Sequence, residues 1–208
     1  MTEVATAARI DLLRHGSVSG GDCFRGWQDD PLDPAGWQQM WRAVGGDCGQ
    51  PPRWQRIVSS PLQRCAAFAQ VLAEHCQLPM QTDPRWRELS FGDWEGRSAA
   101  DIQAADPDSL QSFWDDSDSY PPPGGESLST LQQRCGAAWD ELVSELATGQ
   151  RLLLIAHAGS IRVLLCRLLG MPVHQLFRID VPHAALITVI ADPAYPRLEL
   201  GHARHWRA

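Results

Sequence analysis

Lysine and asparagine are both absent from the 208 residues, and all 18 basic side chains are arginine. Avoidance of A-rich codons in a GC-rich genome is the expected explanation of both absences, and the chemical consequence holds whatever the cause. Without a lysine amine there is no Schiff-base enzyme, no Walker-type phosphate loop and no kinase-type ATP site. With 25 acidic side chains and a net charge of -7, the chain also lacks the basic surface that broad nucleic-acid or anionic-membrane binding requires. Long apolar runs are missing too: Leu152–Ala156 and Val163–Leu169 are too short and too interrupted to span a bilayer. Met1–Thr6 has no basic segment leading into an apolar stretch, so no signal peptide is expected. The six cysteines (23, 48, 65, 76, 135 and 166) form no C-x-x-C pair. They are expected to be free, mostly buried thiols in a cytoplasmic protein. What remains is 44% hydrophobic residues in a chain of a size that suits one packed domain, with room for an insertion.

Hydrophobic patterning predicts an alternation of short strands and helices. Strands are expected at Ala8–Leu13, Arg56–Ser59, Arg151–Ala156 and Ala184–Ala191, with a possible edge strand at Leu198–Trp206. Helices are expected from Gly36 to about Val44, after Ser60-Pro61-Leu62-Gln63 to about Cys76, over Glu126–Leu146 and over Ser160–Leu169. In the second of these, Ser60 reads as the cap, Pro61 as the first helical residue and Gln63 as the third. Between Leu78 and Asp118 the pattern is irregular, with helical turns at Ser98–Ala105 and Ser109–Trp114. The breaker Tyr120-Pro-Pro-Pro-Gly-Gly125 follows an acidic run and reads as the border of an insertion. The predicted architecture is a three-layer α/β/α sandwich on a mainly parallel sheet, one domain over residues 1–208, with an irregular cap-like insertion at about 78–125.

In such sheets ligands bind at the carboxyl ends of the strands. Arg14-His15-Gly16, Ser59-Ser60 and His157-Ala158-Gly159 all stand at predicted strand ends, so they should converge. Arg14, Arg25 and Arg64 bring planar multi-donor forks, His15 and His157 bring imidazoles, and the helix starts at Ser60 and Ser160 bring free backbone N–H groups. That set suits a tetrahedral dianion, most plausibly a phosphoryl group, and the arginines would keep a neighbouring imidazole neutral and nucleophilic. Each element alone has an ordinary reading: an Arg-His-Gly triplet is common, and an arginine on a helix is usually solvated. The shared placement at strand ends is what carries weight.

Five motifs then resemble one family. Leu12-Leu-Arg-His-Gly16, with Phe24-Arg-Gly-Trp-Gln-Asp-Asp-Pro-Leu32 and Gly36 behind it, resembles the opening of the histidine phosphatase superfamily (phosphoglycerate mutase-like). Val58-Ser-Ser-Pro-Leu-Gln-Arg64, Arg87-Glu-Leu-Ser-Phe-Gly-Asp-Trp-Glu-Gly96, Gly125-Glu-Ser127 and Ile155-Ala-His-Ala-Gly159 resemble its later motifs, in order. Within the family the wording is most similar to the α-ribazole phosphatases of cobalamin biosynthesis. The resemblance implies that His15 takes the phosphoryl group on its distal nitrogen, and that Arg14 and Arg64 clamp the phosphoryl oxygens. His157 would donate to the transition state. Glu88 would protonate the leaving alkoxide and then deprotonate the attacking water. Arg25 would add a phosphate or substrate contact, and backbone N–H groups near Gly159 would close the pocket. A double displacement of this kind implies ping-pong kinetics, a small-molecule phosphomonoester as partner, and no metal or organic cofactor.

The same resemblance leaves alternatives: a broad-specificity sugar-phosphate phosphatase, a bisphosphoglycerate-dependent mutase, or a non-catalytic phosphate-binding module. Only the motif selects Glu88; Glu95 and Glu126 are rival acids and plausible partners of Arg97 or Arg134. The family's asparagine after Arg-His-Gly has no counterpart in the run Ser17-Val18-Ser19-Gly20-Gly21, which leaves Ser17 or Ser19 as a replacement. His183 could border the site but is expected to make a structural hydrogen bond. Trp27, Trp86 and Trp94 are expected to pack rather than stack on a ligand. His202 and His205 are expected to be exposed rather than metal ligands.

Overall fold

The computed structural model describes residues 7–46, 53–192 and 195–199. Its six strands are β1 (Ala8–Arg14), β2 (Arg56–Ser59), β3 (Met80–Thr82), β4 (Arg151–Ala156), β5 (Leu186–Ala191) and β6 (Arg197–Glu199). They form one sheet in the order β3-β2-β4-β1-β5-β6. β1 pairs with β4, β4 with β2 and β2 with β3 in parallel; β1–β5 and β5–β6 are antiparallel, so β5 alone runs against the rest.

Layering follows from the strand alternation. In β4, Leu152 and Leu154 face one side while Leu153 and Ile155 face the other, and all four are fully buried. A strand covered on both faces reads as an unbroken apolar run, as Arg151–Ala156 does. One face carries α1 (Pro34–Val44) and α2 (Gln63–Cys76), whose Met40, Val44, Phe68 and Leu72 meet Leu13, Ile57, Leu153 and Ile155. The other carries α5 (Leu128–Glu145) and α6 (Ala158–Leu168), whose Leu131, Cys135 and Leu164 meet Ile10, Leu12, Val58, Leu152 and Leu154. Burying each such Leu or Ile contributes about 1.5–3 kcal/mol relative to exposure. A buried carboxylate crosses the sheet: Asp11 accepts from Trp54 Nε1 at 2.7 Å, Thr188 Oγ1 at 2.7 Å and Arg151 Nε at 2.9 Å.

Between β3 and α5 run two 3-10 turns, Pro84–Trp86 and Gly92–Trp94, then the short helices α3 (Ala99–Ala105) and α4 (Ser109–Asp115). Trp86, Leu89, Trp94, Ile102 and Phe113 from this stretch pack into the same apolar cluster as α5 and α6.

Several expectations need correcting. Helix α2 begins at Gln63 with Leu62 at its cap position and no side-chain cap bond; Ser60 stands three residues ahead of Gln63, where its hydroxyl meets His157 Nε2 at 2.7 Å and accepts from the Leu62 N–H at 3.3 Å. Helix α6 begins at Ala158, two residues earlier than expected, with His157 as its N-cap. The strand β3 and the 3-10 helix Val173–Arg178 were not anticipated. Strand β6 covers Arg197–Glu199, and the remainder of the expected edge strand lies outside the described residues. Cys23, Cys65, Cys135 and Cys166 are free, but Cys76 stands in a disulfide, against the expectation of free thiols. Cys48, His202 and His205 lie outside the described residues.

Candidate active site

His15 follows the last residue of β1, His157 the last residue of β4, and Ser60 the last residue of β2. These strands lie side by side, so their ends meet. The His15 and His157 ring centroids are 5.2 Å apart. The backbone turn at His15 depends on close approach to α1: a Cβ on Gly16 would lie 2.3 Å from the Gly36 carbonyl oxygen, so any larger residue would force the turn off α1.

His15 Nδ1 lies 2.7 Å from the Gly16 carbonyl, which can only accept. The ring proton therefore sits on Nδ1 and leaves the Nε2 lone pair free. Burial, and after it the Arg64 guanidinium, hold the His15 imidazole well below its usual range, so it is neutral at pH 7. The His157 imidazole is held low by burial first and then by Arg64. Arg64 Nε donates to His157 Nδ1 at 3.2 Å, which puts the His157 proton on Nε2, 2.7 Å from Ser60 Oγ.

Arg64 is fully buried and ties the site to the loop behind it, donating to the carbonyls of Gln28 and Gly26 at 2.7 Å. Arg14 NH1 donates to the Val181 carbonyl at 2.7 Å, while Arg14 Nε is buried with no hydrogen-bond partner. An orphaned guanidinium N–H on a residue that shares a cleft with the His15 imidazole is a ready donor for an oxyanion. Arg25 is held by Asp30 at 2.7 Å and by the Ser19 carbonyl at 3.0 Å.

Glu88 enters from the turn after Trp86. Its Oε1 accepts from its neighbour Leu89 N–H at 2.9 Å and its Oε2 from the Gly159 N–H at 3.0 Å, near the start of α6. Arg134 of α5 fixes the segment that carries it, donating to the carbonyls of Arg85, Arg87 and Glu88 at 2.7–2.8 Å and pairing with Glu126 at 2.7 Å.

Arg14, His15, Ser17, Arg25, Glu88, Phe91, Arg162 and His183 line one cleft of about 560 Å³. A smaller apolar annex of about 70 Å³ opens beside it, bounded by Glu88, Phe91, Phe113, Gly159, Arg162, Leu176 and Phe177. All seven residues singled out in the sequence thus belong to one constellation. Arg14, His15, Arg25 and Glu88 face the cleft, Gly159 faces the annex, and Arg64 and His157 lie fully buried, His157 beside the His15 ring.

The rival acids separate cleanly. Glu95 caps the Trp27, Gln28 and Phe91 N–H groups at 2.8, 2.5 and 3.1 Å rather than meeting Arg97, whereas Glu126 does pair with Arg134. Ser17 reaches the cleft, but its hydroxyl donates to Asp33 at 2.8 Å. Trp86 and Trp94 are buried as expected, whereas Trp27 is 45% exposed, with the Arg87 guanidinium over its ring.

Sequence reading missed Arg162, whose Nε donates to the Ile179 carbonyl at 2.7 Å, and the positioning role of Arg134. Arg162 lies on α6 behind the His157-Ala158-Gly159 motif, and that placement was the available signal. His183 lines the cleft 5.7 Å from the His15 ring, and among the described residues its ring makes no hydrogen bond, contrary to expectation.

The chain is similar to known proteins in sequence and in fold. The profile of the histidine phosphatase superfamily (branch 1) matches residues 10–202. A probable phosphoglycerate mutase of Yersinia pestis is 31% identical over 186 residues, covering 87% of this chain and 84% of the relative. The solved structure of a mycobacterial glucosyl-3-phosphoglycerate phosphatase superposes with a TM-score of 0.81 at 29% identity, covering 93% of this chain and 98% of that one. A putative α-ribazole-5′-P phosphatase from Escherichia coli superposes with a TM-score of 0.84 at 24% identity, covering 95% and 97%, a likeness of fold.

Proposed function

The chain belongs to the histidine phosphatase superfamily, branch 1, and from that premise we propose that it hydrolyses phosphomonoesters through a phosphohistidine on His15. One observation carries the reading: an imidazole whose Nδ1 proton is held by the Gly16 carbonyl, leaving Nε2 free, stands in a cleft lined by Arg14, Arg25, Arg162 and Glu88.

The chemistry proceeds in two displacements. His15 Nε2 attacks phosphorus while Arg14, Arg64 and Arg162 offset the charge on the phosphoryl oxygens. Glu88 protonates the departing alkoxide, then takes a proton from the water that attacks the phosphohistidine and restores His15. His157, polarised by Arg64, donates to the phosphoryl group by exchanging its Ser60 partner for a phosphoryl oxygen. Arg25 contacts the outer part of the substrate, and the Gly159 N–H, expected to close the pocket, instead holds Glu88 at the start of α6. Uncatalysed hydrolysis of phosphate monoesters calls for rate enhancements of up to ~10²¹-fold, so near-complete charge compensation is required, and the arginine set fits that need. No metal or organic cofactor enters this scheme.

For substrate we propose α-ribazole 5′-phosphate. The motif wording favours it, and the apolar annex of Phe91, Phe113 and Phe177 beside Glu88 offers the leaving group an apolar edge. In this reading the chain is one cytoplasmic domain that binds neither nucleic acid nor membrane, and its segment 78–125 walls the cleft with Glu88 and Phe91. Among the described residues, no helix is long and apolar enough to cross a membrane. A mutase is the second reading, favoured by the 31% identity to the probable phosphoglycerate mutase.

A panel of α-ribazole 5′-phosphate, sugar phosphates, and 3-phosphoglycerate with its bisphosphate primer separates these readings in wild type and His15→Ala. Phosphate release from α-ribazole 5′-phosphate at the highest kcat/KM, lost in His15→Ala, is expected. No release from any member overturns the phosphatase reading. Phosphoryl exchange with 3-phosphoglycerate alone favours the mutase, and a better ester elsewhere overturns only the substrate.

A further inference from the structure

We propose that His183 is a further phosphate-contacting residue, closing the solvent side of the pocket whose buried side is held by His157. The inference rests on the phosphatase reading above.

His183 stands in the connection that leads into β5, with its ring centroid 5.7 Å from that of His15, in the cleft shared by Arg14, Arg25 and Arg162. Its backbone is tied to both sides of the nucleophile. The Ala184 N–H donates to the His15 carbonyl at 3.1 Å, and the Arg14 N–H donates to the Ala185 carbonyl at 3.0 Å. Between these bonds Ala184 adopts φ +55°, a left-handed conformation that residues other than glycine and asparagine rarely take. Such strain persists where the surroundings enforce it, and here the enforced feature is the presentation of His183 to the cleft. The ring is free for a ligand: it is exposed to the cleft and makes no hydrogen bond among the described residues.

The charges facing it come from three elements. Arg14 at the end of β1, Arg25 in the following loop and Asp33 at the start of α1 surround the imidazole. Partial burial, and then Arg14, hold it below its ordinary range, so at neutral pH it carries one N–H donor and no charge. A phosphoryl dianion drawn in by Arg14 and Arg25 meets that N–H from the open side. His183 thereby supplies a donor at the mouth of the pocket, the side on which the asparagine-free run Ser17–Gly21 offers little, since the Ser17 hydroxyl already serves Asp33.

The contact is made in both the bound substrate and the transition state, so its loss should appear in KM rather than kcat. The test compares wild type, His183→Ala and His183→Gln, with folding checked by thermal melting and inorganic phosphate used as a competitive inhibitor. For His183→Ala, KM and the phosphate inhibition constant should both rise about tenfold or more, the loss expected for one hydrogen bond to a charged group. In the same variant kcat should stay within about threefold of wild type, and His183→Gln, which keeps a donor, should recover part of the binding. Unchanged KM and phosphate inhibition in His183→Ala would overturn the inference. So would a fall in kcat at constant KM, which is what a loop that only props His15 would give. A wild-type protein that neither hydrolyses esters nor binds phosphate would instead overturn the phosphatase reading beneath it.

Discussion

Gly159→Ala separates the two roles that meet at Glu88. A methyl group on Gly159 would lie 2.2 Å from Glu88 Oε1 and 3.1 Å from its carboxyl carbon. The atoms that must yield are the end of a side chain, so the carboxylate moves and the fold stays. Alanine also favours the helix by roughly 0.5–1 kcal/mol over glycine. Against that stands the Gly159 N–H bond to Glu88 Oε2, a bond to a charged group of about 1.5–3 kcal/mol. The net change in stability should therefore be a loss of no more than about 2.5 kcal/mol. Catalysis should suffer far more, because a displaced general acid forfeits roughly 10²–10⁴-fold in rate. The loss depends on the ester. An alkyl phosphate needs its leaving oxygen protonated, whereas 4-nitrophenolate departs without help, so formation of the phosphoenzyme from 4-nitrophenyl phosphate should be nearly unaffected. Pre-steady-state release of leaving group from both esters, in wild type and Gly159→Ala, measures this directly. Equal losses on both esters, or no loss on the alkyl ester, would refute the placement of Glu88 as the acid.

Three further outcomes follow from the same structure. Arg134→Leu strips three backbone carbonyls and Glu126 of their partner; it should cost about 3 kcal/mol in urea unfolding and lower kcat through the loosened Glu88 segment. Asp11→Ala leaves Arg151 and Trp54 without their shared acceptor; a loss of about 3 kcal/mol in the same assay is expected, the lower end for a buried pair because Arg151 is partly exposed. His15 and His157 resist protonation in the folded protein, while in the unfolded chain they titrate near pH 6.5. The unfolded state therefore binds the extra protons, and stability should fall as pH drops below about 6.5, by up to ~1.4 kcal/mol per unit for each histidine. His15→Gln should remove one histidine's share of that slope, and an unchanged slope would count against a neutral His15.

The strands that carry the site were legible because they are buried on both faces. Arg151–Ala156 and the shorter Arg56–Ser59, with Ile57 and Val58 at its centre, have expected bounds that match the observed ones, and their ends place His157 and Ser60. The expected start of α2 is too early because Ser60 has the residue type of a cap but stands three residues ahead of Gln63, in a turn where its hydroxyl meets both the Leu62 N–H and His157, a tertiary contact that local pattern does not reveal. Strand β3 spans three residues at the sheet edge, too short for an alternation to register. Arg162 and Arg134 look like solvated helix arginines in the sequence; only the packing of α5 and α6 turns them toward Glu88 and the cleft. His183 stands in the sequence as a candidate border of the site, but its nearness to His15 depends on β5 pairing antiparallel with β1.

The claim that His15 is the nucleophile is tested most directly by trapping its phosphorylated form. Glu88→Gln slows attack by water but leaves 4-nitrophenyl phosphate able to phosphorylate the enzyme, so rapid quenching with labelled ester should capture the intermediate. The account predicts an acid-labile, alkali-stable label that maps to His15, appears in step with the first nitrophenolate and is absent from His15→Ala. Release of nitrophenolate with no label on His15, or label that persists in His15→Ala, would contradict it.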